Sequence, residues 1–140
     1  MTVPLEDSLC RFLDPQDWNY EDDCPAFTAF RASRRKLSLW HKEKIEAMGD
    51  KLDDLCFSTL KGFGHGLLTA SDCIEAAQST PSPNFSSGVY WRPSAAEAAW
   101  GQWRDAHVQV ESVAGDQNFP KTYRLELARR CQVVKRPAGL

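Results

Sequence analysis

The hydrophobic residues of this chain change period as it runs, and that change constrains the fold more than any motif does. From Ala106 to Val113 they alternate. Ala106, Val108 and Val110 fall on one side and His107, Gln109 and Glu111 on the other, the two-residue repeat of a strand with one solvated face. From His41 to Leu60 the spacing is three and four: Ile45, Met48, Leu52, Leu55, Cys56 and Leu60 build one apolar stripe, which predicts a helix interrupted at Gly49 and restarted with Asp50 as its cap.

The same reading extends along the chain. Phe27 to Ser33 alternates weakly and reads as a first strand, followed by a basic turn. Lys61-Gly62-Phe63-Gly64-His65-Gly66 reads as a bend capping the preceding helix, with His65 exposed. Ser71 is placed to cap a helix through Gln78. Ser79 to Ser87, with Pro81 and Pro83, reads as a loop. Val89-Tyr90-Trp91 has strand composition, and Ser94 with Glu97 has capping-box spacing for a helix to Trp103. A Gly115-Asp116 turn precedes Pro120, which opens a helix with Tyr123, Leu127, Arg130 and Cys131 on one face. Val133-Val134 adds a last strand. Strand and helix thus alternate, which predicts a small α+β (or α/β) domain with a mixed sheet of roughly four to five short strands packed with helices.

At 140 residues the chain is long enough for one domain. Residues 26–140 are read as that domain and residues 1–25 as an acidic N-terminal arm. The arm carries Glu6, Asp7, Asp14, Asp17, Glu21, Asp22 and Asp23 against Arg11, while basic residues crowd the C-terminal end. Such runs are ordinarily solvated surface. The sharper expectation is an acidic arm lying over a basic surface, in competition with an acidic partner. A net charge of -2 disfavours a dedicated nucleic-acid coat. No apolar run is long enough for a membrane span. An acidic N-terminus without a secretory pattern, together with an odd count of five cysteines, predicts a reduced cytoplasmic setting.

Chemistry-bearing motifs are sparse. The five cysteines and three histidines fall at no metal-ligand spacing, so no metal is expected. Gly62 to Gly66 follows a helix and therefore lacks the context of a dinucleotide loop. The best polar constellation joins Arg31, Ser58-Thr59 and Gln109-x-Glu111. In order and character it resembles the ADP-ribosyltransferase pattern. That resemblance implies NAD as cofactor, Arg31 on a cofactor phosphate, Ser58 or Thr59 at the nicotinamide pocket, and Glu111 stabilising the ribosyl cation. A metal-independent ribonuclease-like site from Arg31, His65, His107 and Arg124 is the other enzymatic expectation. Under either, a small toxin enzyme would use Arg31, His107 and Glu111 as catalytic residues. Trp40 beside Lys36 and His41, and Tyr90-Trp91-Arg92, have the look of base-stacking surfaces.

The leading expectation is different. Trp100 and Trp103 lie three apart on one helix, with Trp91 just before it, and exposed tryptophans mark protein-binding surfaces. With Asp22 and Asp23 of the arm, these predict a cytoplasmic accessory or regulatory protein that binds another protein, within a bacterial complex or conflict system. Without the NAD resemblance no cofactor is expected.

Overall fold

Ser8–Leu13 forms strand β1, and it lies inside the sheet rather than in an appended arm. The computed structural model describes residues 1–32, 36–60, 62–80, 85–113 and 118–137. The basic turn, Lys61, the Pro81–Pro83 segment and the Gly115-Asp116 turn fall outside them. After β1 come a two-stranded hairpin of β2 (Trp18–Asn19) and β3 (Cys24–Pro25), then β4 (Lys36–His41), β5 (Gly64–Thr69), β6 (Ser87–Trp91), β7 (His107–Ser112) and β8 (Gln132–Lys135). The main sheet has six strands in the order β6-β7-β4-β1-β5-β8. Every pairing is antiparallel, so the expected mixed sheet is corrected. Hydrophobic period reports a strand but not its direction.

Both faces of the sheet are covered. On one, Leu9, Leu13, Leu37, Leu39, Val108 and Val110 pack under helices α2 (Ala70–Gln78) and α3 (Lys121–Arg130), with Tyr123 and Leu127 wholly buried. On the other, Cys10 and Trp40 meet Ile45 of α1 (Lys42–Ala47), Leu52, Leu55 and Trp103. Alternation along β1 and β4 sends successive side chains to the two cores.

The N-terminal residues are built in. Thr2 bridges to Tyr90, and Val3 N–H donates to the Val89 carbonyl at 2.9 Å, which covers the outer edge of β6. Asp22 and Asp23 sit exposed at the tip of the β2–β3 hairpin, where Asp23 takes a φ of 50°, a left-handed conformation that aspartate tolerates. Asp23 accepts from Lys135 at 3.2 Å. Lys135 Nζ also lies 5.1 Å from the Trp18 ring centroid, so the acidic segment meets the basic C-terminal end at these contacts.

Several local expectations change. Phe27–Phe30 is a 3-10 helix, not a strand, because Phe30 and Ala29 bury completely beneath α3. The long helix divides: α1 ends at Gly49, whose φ of 93° suits glycine, and a π-helical turn follows at Asp54–Thr59. Asp50 does not cap it; its carboxylate accepts from Trp103 Nε1 at 2.8 Å. The cap of α2 is Thr69, reciprocated by Asp72 at 3.0 Å, rather than Ser71. The 94–103 helix is replaced by two 3-10 segments, Pro93–Ala95 and Ala98–Ala106. Three residues per turn set Trp100 and Trp103 directly above one another, their rings 5.7 Å apart.

The glycine bend is the start of β5. A Cβ on Gly64 would sit 2.8 Å from the Val134 carbonyl, and one on Gly66 would sit 2.2 Å from Cys131 Sγ. The glycines are there so that β8 and Cys131 can approach. His65 between them is consequently buried, not exposed.

Candidate functional site

The site begins where the sheet comes apart. β1 and β4 pair only at Leu9↔His41 and Cys10↔Trp40. Beyond these, β1 stays with β5 down to Leu13↔Gly64, and β4 stays with β7 up to Lys36↔Glu111. The two strands therefore diverge, and Arg11 fills the fork. Its Nε donates to the Ala29 carbonyl at 3.0 Å and its Nη1 to the Ser38 carbonyl at 2.9 Å. The guanidinium thus satisfies a backbone acceptor on β4 that a neighbouring strand would otherwise take.

A cleft of about 1150 Å³ opens at this fork. Ser38, Gln109 and His107 lie along its sheet side, and Phe12, Trp40 and Trp100 give it aromatic surface. Phe12 and Trp100 stack at 6.0 Å with a 9° interplanar angle, Trp40 and Trp100 lie 5.3 Å apart, and the His107 ring lies 5.0 Å from Trp40. Charge of both signs faces in: Arg11, Arg31 and Lys36 against Asp14, Asp17 and Glu97. Arg31 donates to Asp17 Oδ1 at 3.0 Å, and the second Asp17 oxygen takes the Asp14 N–H at 2.9 Å. Burial and the like charge of Arg31 lower the Arg11 pKa, while Asp17 and Asp14 act the other way.

One ring nitrogen of His107 is fixed as a donor. Its Nδ1 lies 2.7 Å from the Arg92 carbonyl, which can only accept. Nδ1 therefore carries the hydrogen of this contact. The polar side of β7 is not a solvated face: His107 and Gln109 are both buried. The aromatic and 3-10 layer covers what the alternation assigned to water.

The expected catalytic residues separate. Arg31 and His107 line the cleft; Glu111 does not. Glu111 holds Arg92 through two contacts at 2.8 and 3.3 Å, and Arg92 lies over the Tyr90 ring. Ser58 and Thr59 are exposed on the π-helical turn, and Thr59 borders a smaller pocket beside Trp100 and Trp103. His65 bonds Asp53 at 2.7 Å, and its Nδ1 has no partner. Arg124 stands over Phe27. His65 and Arg124 do not line the cleft, so the four-residue ribonuclease-like grouping is not gathered there.

The tryptophans separate as well. Trp91 packs with the α2–α3 core, 4.6 Å from the His41 ring and under Lys44 Nζ. Trp103 is a buried anchor of the opposite core, and Trp100 is half-buried at the cleft. They do not form one surface.

Sequence reasoning passed over Arg11 as a site residue. With residues 1–25 read as an arm, nothing marked Leu9, Arg11 and Leu13 as one strand face; the sheet alone places them there.

The cysteines are free. Burial raises the thiols of Cys10 and Cys73, that of Cys56 to about 11 and that of Cys131 to about 12. Among the described residues no group of three His, Cys, Asp or Glu side chains could hold a metal ion, and no helix is long and apolar enough to cross a membrane. No family model, curated protein or solved structure matches the chain.

Proposed function

We propose that the protein is an accessory or regulatory binding protein that recognises another protein through the cleft between β1 and β4. One observation carries this reading: the cleft combines aromatic surface with charged and polar groups at a fork in the sheet. Interfaces draw their energy from such aromatic and arginine anchors. The five free cysteines fit a reducing, cytoplasmic setting, and a bacterial complex or conflict system remains part of the proposal. Asp22 and Asp23, exposed at the hairpin tip, are proposed as a secondary contact, with Trp91 beside the opposite core contributing at the periphery.

A second reading is favoured by the presence of Arg31 and His107 in the same cleft. That arrangement could serve a metal-independent ribonuclease-like or, with NAD, an ADP-ribosyltransferase-like toxin. Against it stands Glu111, held by Arg92 outside the cleft lining.

The test is affinity capture from the native lysate with wild type, Trp100→Ala and Glu111→Gln, alongside RNA-cleavage and NAD-turnover assays. A stoichiometric protein held by wild type and Glu111→Gln, and lost from folded Trp100→Ala, supports the binding reading. Turnover that disappears in His107→Gln, with no protein partner retained, overturns it in favour of the enzyme.

A further inference from the structure

We infer that Arg11 anchors a subsite for a carboxylate within the cleft between β1 and β4, the group by which an occupant with an apolar or aromatic body is recognised. This deepens the binding reading above and rests on the cleft being the working surface.

The first support is positional. Leu9, Arg11 and Leu13 share one face of an interior strand, and the two leucines are 0% and 1% exposed. A third apolar residue is what packing alone would select there. A charged residue breaks the local rule there, and its two backbone contacts at the fork use only part of its donor capacity.

The second support is unmet hydrogen-bonding capacity. A guanidinium has five N–H donors. The Ala29 and Ser38 carbonyls take one each. Among the described residues no side chain accepts from Arg11, and no carboxylate forms an ion pair with it. Nη2 thus has no protein partner on a side chain. Asp17, the nearest candidate in the electrostatics of the group, already has one oxygen on Arg31 and the other on the Asp14 N–H. The remaining Arg11 N–H groups face the cleft, where an incoming anion gains charge-assisted hydrogen bonds from a partly desolvated cation.

The third support selects the anion. Asp14, Asp17 and Glu97 face the same cleft as Arg11, Arg31 and Lys36. With three cationic and three anionic side chains in the lining, a dianion is repelled more by the carboxylates than a monoanion is. This favours a carboxylate over a phosphate. Phe12, Trp40 and Trp100 offer aromatic surface for the rest of the occupant, the division of labour typical of ligand sites.

The experiment titrates the full-length protein with phenylacetate, acetate and inorganic phosphate at constant ionic strength. The arginine Nε–H and tryptophan Nε1–H signals are followed by NMR. Phenylacetate should shift the Arg11 Nε–H saturably and bind more tightly than acetate, while phosphate should give no saturable shift. Arg31→Gln and Arg11→Lys should each weaken phenylacetate by about tenfold, the weight of one charge-assisted contact. Arg31 has 54% of its side chain exposed, so its variant tests the idea even if Arg11→Lys fails to fold. No saturable shift in wild type, unchanged binding in folded Arg31→Gln and Arg11→Lys, or tighter binding of phosphate than of phenylacetate would each overturn the inference. Partner capture lost in Trp100→Ala yet intact in Arg31→Gln would overturn the carboxylate subsite and leave the binding reading standing. Carboxylate binding without any captured partner would do the reverse.

Discussion

Trp100 and Trp103 are neighbours on one 3-10 turn, and truncating them should have opposite consequences. Trp103 is 7% exposed and packs in the core that includes Trp40, Ile45, Leu52 and Leu55. Trp103→Ala removes a buried indole and leaves a cavity, a loss of about 3–5 kcal/mol. It also removes the Nε1 donor of Asp50. Asp50 is half-exposed and rehydrates, so that contact adds only about 1 kcal/mol. Against a total stability of about 5–15 kcal/mol the loss is severe, and it corresponds to a fall in Tm of roughly 10–20 °C. Trp100 is half-buried at the cleft, and its truncation should cost about 1–2 kcal/mol while removing partner or ligand binding. Asp50→Ala leaves the indole in place and isolates the hydrogen bond, at about 1 kcal/mol. Urea denaturation followed by far-ultraviolet circular dichroism gives all three values on one scale. Equal destabilisation by Trp103→Ala and Trp100→Ala would refute the division between anchor and contact residue. So would a Trp103→Ala protein with wild-type stability and lost binding.

Thiol titration should find one cysteine that reacts readily with Ellman's reagent at pH 8, Cys24, and all five after denaturation, because the other four thiols are raised by burial; rapid reaction of Cys10 or Cys73 in native protein would contradict the packing. Gly64→Ala should destabilise by about 1–3 kcal/mol in urea, since its Cβ meets the Val134 backbone oxygen at 2.8 Å and cannot be accommodated by a side-chain rotation. Gly66→Ala should cost less, because the obstacle is the Cys131 sulfur, and Cys131→Ala should relieve it. Hydrogen bonds from Arg129, and then from Arg130, hold the Glu126 carboxyl at about 2, below its ordinary 4.5. A depressed folded-state pKa contributes stability that is present above pH 4.5 and lost as pH falls toward 2. Glu126→Gln should therefore flatten that limb of an acid titration of stability, by a small amount because the site is screened by solvent.

Residue order alone marks strands and helices wherever a hydrophobic period is long and clean. Ala106–Val113 and the helix opened by Pro120 are cases in point: β7 and α3 lie where the residues place them. Gly49 ended its helix as its conformational freedom requires. Weak or short patterns were decided by tertiary packing instead. Phe27–Phe30 alternates as a strand would, yet burying Ala29 and Phe30 beneath α3 favours a 3-10 turn. The glycines before Leu67 read as a bend until Val134 and Cys131 arrive from the far end of the chain to require them. The site was legible only in part, through Arg31, His107 and Trp100. Glu111 is assigned to Arg92, and Arg11 to the fork, by strand order. Local period is set by a residue's neighbours along the chain. Strand order, and with it the divergence of β1 from β4, is set by contacts between segments far apart in sequence, and one-dimensional spacing carries no record of them.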